Sequence, residues 1–347
     1  MNPNLPDRLR VETERLRRSW SRHPAEMLRE YMVAGIHDPW INPQSIHSRH
    51  LVLETAFPGR FEALKREELR FALAMNWLLP VLRDAIIPEE LEALAHALEL
   101  GADDAEGLSI PHWLLDIRSG LPREVDGAMV ADPVLETVLD ARRMGPSAAR
   151  ARGHQRFAAV WRQVLRDEPV AGLDVLEAGC GSANDYRAME SCGLVRHLRY
   201  LGVDLCEANI VNARALFPGA RFEVGNLLEL GHGDGEFGCT VVHDVLEHLS
   251  LEACDMAVAE LARVSREGVF IGFFQMHEGE DDVVREVDDY HWNTLSLPRM
   301  RRRFALHGWR AEATHVASWL RWAGGPEAAY YETAYDLILA REVARTT

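Results

Sequence analysis

The residues best suited to chemistry in this chain fall between Leu176 and Leu249. Gly179 and Gly181 sit in Leu176-Glu177-Ala178-Gly179-Cys180-Gly181-Ser182-Ala183-Asn184, where a strand-like run gives way to a helical one. Two glycines at that spacing let the backbone turn tightly and approach a ligand more closely than a side chain would allow. A dinucleotide fingerprint would carry a third glycine at 184, and Asn184 there counts against NAD and FAD. Three more features follow in order. Asp204 closes the next apolar run and offers a carboxylate to two ribose hydroxyls. Asn226, in Val224-Gly225-Asn226, stands where it would meet an adenine edge, and Val242-His243-Asp244-Val245-Leu246-Glu247-His248-Leu249 follows a further run. Together they predict a nucleoside site at the carboxyl ends of successive strands.

The elements needed to position these residues are legible in the periodicity. Strands are expected over Asp174–Glu177, Tyr200–Asp204, Arg221–Val224, Cys239–His243 and Gly268–Phe274, with helices near Ala183–Ser191, Glu207–Leu216 and Leu251–Val264 between them. Two further strands are expected near Trp309–His315 and Ala334–Arg341, after a helix over Leu297–His307. Alternating units of this kind imply an α/β domain with a parallel, Rossmann-like sheet, right-handed crossovers and helices on both faces. Up to about residue 165 the pattern is instead all-helical. Candidate helices there are Arg8–Ala34, Ser45–Phe57, Phe61–Ala85, Pro88–Leu100, Ile110–Ser119 and Pro133–Met144. The expected organisation is a helical N-terminal domain over 1–150 and the α/β domain over 151–347.

From about residue 155 to 341 the chain resembles class I S-adenosylmethionine-dependent methyltransferases, through LEAGCGSAND, LGVDL, EVGNLL and VVHDVLEHL. The last motif is similar to that of the small-molecule branch that includes the ubiquinone-type O-methyltransferases. The resemblance implies a seven-stranded sheet with an antiparallel last strand and S-adenosyl-L-methionine in its crevice. The cofactor contacts it implies are Glu177, Gly179, Cys180, Gly181, Asp204, Leu205, Asn226, Leu227 and His243. Ala183 and Asn226 stand where many members have Gly and Asp.

A sulfonium methyl is already electrophilic, so alignment does most of the work and a base serves a hydroxyl acceptor. His243 is the first candidate base, expected to titrate near pH 6–7. His248, His291 and His277 are the others. Asp244, Glu247 and His248 would share a helical face and suit a hard cation, although acids at a helix start are favoured without one, and no metal is assigned. Asp204 would equally serve as a helix N-cap and Asn226 as a turn residue. The run Glu278–Asp289 holds seven acids and one base, which suits a cationic substrate or a solvated loop. Trp319, Trp322, Tyr330, Tyr331 and Tyr335 would line an acceptor pocket or pack among themselves. In the helical half, His47, Arg49 and His50 would face a substrate or be satisfied internally.

Composition limits the partners. The net charge of −16, from 54 acids and 38 bases, disfavours nucleic acid, and the half after residue 170 carries −12 of it. Five cysteines without a CxxC pair fit a reducing compartment, and no apolar stretch is long enough to span a membrane, so a cytoplasmic protein is expected. The leading expectation is methyl transfer to an O or N nucleophile of a small molecule, with the N-terminal helices covering the acceptor or supplying a homodimer contact. A protein or RNA methyltransferase, and a regulator that binds S-adenosylmethionine without turnover, are the alternatives.

Overall fold

In the computed structural model, residues 5–22, 38–83, 88–105, 108–120, 124–125, 127–129, 132–153, 155–326 and 330–341 are described. The N-terminal half forms helices α1 (Asp7–Arg22), α2 (Pro43–Ala56), α3 (Glu62–Arg83), α4 (Pro88–Leu100), α5 (His112–Gly120), α6 (Pro133–Met144), α7 (Pro146–Gly153) and α8 (Arg156–Leu165). The expected first helix is met by α1 as far as Arg22, and its continuation to Ala34 lies outside the described residues. The same holds for positions 84–85 of the expected third helix. Helix α2 starts before the expected Ser45 because Asn42 caps it. The Asn42 Oδ1 accepts from the N–H groups of Gln44 (2.8 Å) and Ser45 (3.0 Å), and Pro43 opens the first turn. The half is not purely helical: Asp104–Ala105 pairs with Leu108–Ser109 and Glu124–Val125 with Ala128–Met129. Ribbons of two residues are too short to show alternation.

The second half contains strands β1 (Leu173–Ala178), β2 (Leu198–Asp204), β3 (Arg221–Val224), β4 (Phe237–His243), β5 (Ser265–Phe273), β6 (Trp309–His315) and β7 (Tyr335–Arg341). They form one sheet in the order β6-β7-β5-β4-β1-β2-β3. Strand β7 runs antiparallel to both neighbours, and the remaining pairs are parallel. This is the expected seven-stranded arrangement with its reversed last strand. The near-continuous apolar runs of β1 and β4 follow from burial on both faces. Helices α9 (Asn184–Ser191), α10 (Glu207–Leu216), α11 (Leu251–Val264), α12 (Leu297–Ala305) and α13 (Val316–Trp322) complete the fold.

Alternate residues send the two faces into different cores. Val175, Val241 and Phe270 join a cluster with Phe71, Leu78, Phe157 and Trp161 of α3 and α8. Val242, Ile271 and Leu337 join one with Val258 and Leu261 of α11, Phe304 of α12, and Leu9 and Leu16 of α1. The N-terminal helices therefore share their apolar core with the sheet. Helix α1 lies against the lip of α11, where Glu12 accepts from the Ser250 backbone N–H (2.7 Å) and hydroxyl (2.6 Å).

Candidate active site

The ends of β1, β2, β3 and β4 open into a cavity of about 560 Å³, closed from above by Thr13, Leu16 and Arg17 of α1 and by Asn42, Gln44 and Ser45 at the start of α2. Its floor is the glycine turn. Gly179 (φ +80°) and Gly181 (φ +52°) both use the left-handed region, and so does Ala183 (φ +68°), where alanine is strained. The two glycines have different reasons. A Cβ on Gly179 would lie 2.5 Å from Cγ2 of Val245, so that position is dictated by packing of the protein on itself. A Cβ on Gly181 would meet no atom within 4 Å, so that glycine leaves a cradle on the cavity wall.

Asp204 ties the turn to β2. Its Oδ2 accepts from the Gly181 N–H (2.9 Å), and its Oδ1 accepts from the N–H of Cys206 (2.7 Å) and from Asn209 (3.2 Å). Burial pushes this carboxyl up, against those donors. Glu177 is buried beneath the turn and accepts from the Tyr200 hydroxyl (2.6 Å). Burial, then the charge of Asp185, pushes it up to about 8. Cys180, Leu205 and Leu227 line the cavity as expected, the leucines offering apolar walls to a flat ring. Asn226 lines it too, but its Oδ1 accepts from the Leu228 N–H (3.1 Å) and its amide reaches Thr13 (3.5 Å), so it also performs the turn role.

The expectation for His243 needs correction. Its Nδ1 lies 2.8 Å from Asp185 Oδ2, and a Cβ at Gly272 would meet its Cδ2 at 2.7 Å, which fixes the ring against β5. Burial disfavours the cation, but the Asp185 carboxylate outweighs it and the pKa is pushed up to about 9, well above the expected 6–7. At neutral pH this side chain is an imidazolium, which has no lone pair to act as a base. His248 lines the cavity, donating from Nδ1 to the His291 carbonyl (3.1 Å), with its ring against Trp292 (5.2 Å). His291 and His277 are not on the wall; His291 serves through its carbonyl.

Nor do Asp244, Glu247 and His248 share an α-helical face. Asp244 takes φ +50°, and Leu246–His248 is a single 3₁₀ turn before α11. Among the described residues no group of three or more His, Cys, Asp or Glu has the geometry for a metal ion. The acidic run 278–289 is largely absorbed by arginines. Asp282 pairs with Arg303 (2.7 Å), Glu280 with Arg302 (3.1 Å) and Asp281 with Arg299. Of the aromatic set only Tyr331 lines the cavity; Trp319 stacks on His47 (4.5 Å) and Trp322 is exposed. Arg49 and His50 are satisfied internally by Glu68 (2.9 and 2.7 Å). His47 bonds Asp336 (2.7 Å).

Asp185, Gln44 and Ser45 reach the cavity although no motif assigned them a role. Asp185 stands inside the motif LEAGCGSAND, one residue past the glycine turn's helix start, and that position was the available signal. Gln44 bridges α2 to the sheet through Asp336 (2.9 Å) and the Phe273 carbonyl (3.2 Å), a pairing invisible without the fold.

Residues 175–268 match the methyltransferase domain family. A Mycolicibacterium smegmatis protein named as a probable S-adenosylmethionine-dependent methyltransferase is 40% identical over 98 residues, 28% of this chain and 36% of that protein. The chain thus spans about a third of the length of that curated relative. Among solved structures, a Mesorhizobium loti S-adenosylmethionine-dependent methyltransferase aligns over 52% of this chain and 97% of its own at 16% identity and TM-score 0.38. One from Clostridium acetobutylicum aligns over 55% and 99% at 9% identity and TM-score 0.37.

The glycine turn, Asp204 and the end of β4 lie within residues 175–268, the segment that matches a methyltransferase domain. Its cofactor is S-adenosyl-L-methionine. The wall fits that group. Asp204 lines the cavity with a carboxylate for ribose hydroxyls, Leu205 and Leu227 suit an adenine, and Gly181 leaves room for backbone approach.

Proposed function

We propose that this protein transfers a methyl group from S-adenosyl-L-methionine to an O or N nucleophile of a small molecule. The observation that carries the reading is a single cavity joining the glycine turn and Asp204 to the end of β4 under a roof of α1 and α2. When bound, the cofactor supplies a methyl already activated by a sulfonium, so the protein's task is to hold, orient and exclude water. Asp204 receives the ribose hydroxyls, and Leu205, Asn226 and Leu227 hold the adenine. Residues 1–150 act as the acceptor cover and 151–347 as the transfer domain. The resemblance of VVHDVLEHL to the ubiquinone-type branch supports a small acceptor. His243, charged and tied to Asp185, orients the end of β4. His248, which also lines the cavity, is the other histidine placed for proton acceptance there.

The cysteines among the described residues are free, and no described helix is long and apolar enough to cross a membrane; both support a cytoplasmic enzyme. Calorimetric titration with S-adenosylmethionine and S-adenosylhomocysteine tests the reading. Saturable heat from both, lost in Asp204→Ala, is expected. A wild-type protein that gives no heat with either ligand refutes it.

A further inference from the structure

The cavity has two ends, set by strand order. Asp204 and Asn226 follow β2 and β3 on one side of the glycine turn, while Asp244 and Glu247 follow β4 on the other, next to Phe274 beyond β5. The first end is accounted for by the nucleoside. The second holds an unresolved charge problem. Glu247 is 2% exposed, and neither of its oxygens has a hydrogen-bond partner; Asp244 Oδ1 is likewise buried and unpartnered. Leaving such groups unmatched is costly. Both residues line the cavity, as do Phe274, Trp292 and Tyr331.

Carboxyl oxygens without donors, walled by aromatic faces, suit one ligand chemistry. The missing donors must carry several N–H bonds and positive charge, and the rings favour a cation over a neutral hydroxyl. We infer that the acceptor is a primary or secondary amine that enters as its ammonium ion, is held by Glu247 and Asp244 beside these aromatic residues, and gives one N–H proton to the pair before its nitrogen lone pair takes the methyl. The inference rests on the methyltransferase reading of the same site and names its substrate class.

The charges around the pair support it. Burial, then the charge of Glu247, raises the Asp244 carboxyl well above its ordinary range, against His243 and with Asp185 and Asp336 adding to the rise. Burial raises Glu247 as well, opposed by His248 and His243; the backbone amides of Glu247 and Phe274 temper the shift by nearness, without bonding either oxygen. The pair therefore holds a proton more firmly than free carboxyls do. An arriving ammonium lowers both values and expels it.

The protein loaded with S-adenosylhomocysteine is titrated with phenethylamine, benzylamine and butylamine and with their matched alcohols, in buffers of differing ionisation enthalpy. At least one amine is expected to bind tenfold or more tighter than its alcohol, with net proton release, whereas the alcohol releases none. Glu247→Gln should weaken that amine at least tenfold and leave S-adenosylhomocysteine within twofold; Asp244→Asn serves as the second variant. No preference for any amine overturns the inference, and the wild-type comparison needs no variant to fold. Equal losses for amine and S-adenosylhomocysteine also overturn it, because the carboxyls would then belong to the cofactor. If S-adenosylhomocysteine itself fails to bind, the methyltransferase reading falls, and amine preference measured without it decides the inference separately.

Discussion

His243 offers the sharpest test of the electrostatics at the end of β4. Its pKa of about 9 stands some 2.5 units above the ordinary 6.5, and at 1.36 kcal/mol per unit this is about 3 kcal/mol favouring the folded imidazolium. Burial alone would have lowered it, so the gross contribution of Asp185 is larger than the net. The sign follows from linkage. A folded pKa above the unfolded one gives stability that is complete below about pH 6.5, declines by about 1.4 kcal/mol per pH unit, and is gone above about pH 9. The shift of Asp185, held down by His243 against its own burial, is the same interaction seen from the acid and is not counted again. The assay is an NMR titration of imidazole signals with ¹³C-labelled histidine, the His243 resonance being identified from His243→Gln. The wild type should titrate near 9. In Asp185→Asn the desolvation is left unopposed by its main partner, and the pKa should fall by at least two units. A wild-type value within a unit of 6.5, or one that Asp185→Asn leaves in place, refutes the reasoning.

Further expectations concern the turn, the roof and the helical core. Gly181→Ala should cost only about 1 kcal/mol of backbone strain at φ +52° while weakening S-adenosylhomocysteine at least tenfold by calorimetry, because its Cβ enters the cavity cradle; Gly179→Ala should lower the thermal midpoint further, through the clash with Val245. Asn226→Ala removes the bond to the Leu228 N–H and should cost about 0.5–1.5 kcal/mol in urea unfolding. Glu68→Gln leaves Arg49 buried without its counter-charge and should cost about 3–5 kcal/mol by the same measurement, consistent with a Glu68 carboxyl held at about 2. Glu12→Ala frees α1 from the Ser250 cap and should speed S-adenosylhomocysteine release in stopped flow with little change in association.

What could be read from the sequence was whatever its neighbours in the chain determine. Strand β4 and the inner half of β5 announce themselves because burial on both faces needs apolar runs; β3, with Arg221 and Glu223 about Phe222, is legible from its place in the alternation of strands and helices, and the ends of β2 and β3 lead to Asp204 and Asn226. The glycine turn is legible for the same reason, although which glycine serves the ligand is not, since the clash at Gly179 comes from Val245 far along the chain. The behaviour of His243 was illegible. Its type and place suggested a base, but its charge is set by Asp185, 58 positions away, and by burial that only the fold creates. Arg49 and His50 were equally ambiguous, because Glu68 belongs to the next helix and Trp161, which also donates to it (2.8 Å), to α8.

The roof of the cavity is built from two helices fastened by different means. Helix α2 is bolted down from below: Glu68 accepts at once from Arg49, His50 and Trp161 in a buried network, and Gln44 ties the same helix to β5 and β7. Such a network is costly to disturb, since opening it strands charges away from water. Helix α1 is attached at its outer face by Arg8 to Glu252 and by Arg15 to Asp289, pairs half in solvent that are worth little each. Its hold on the site comes from the apolar side chains Leu9 and Leu16 and from the cap at Ser250.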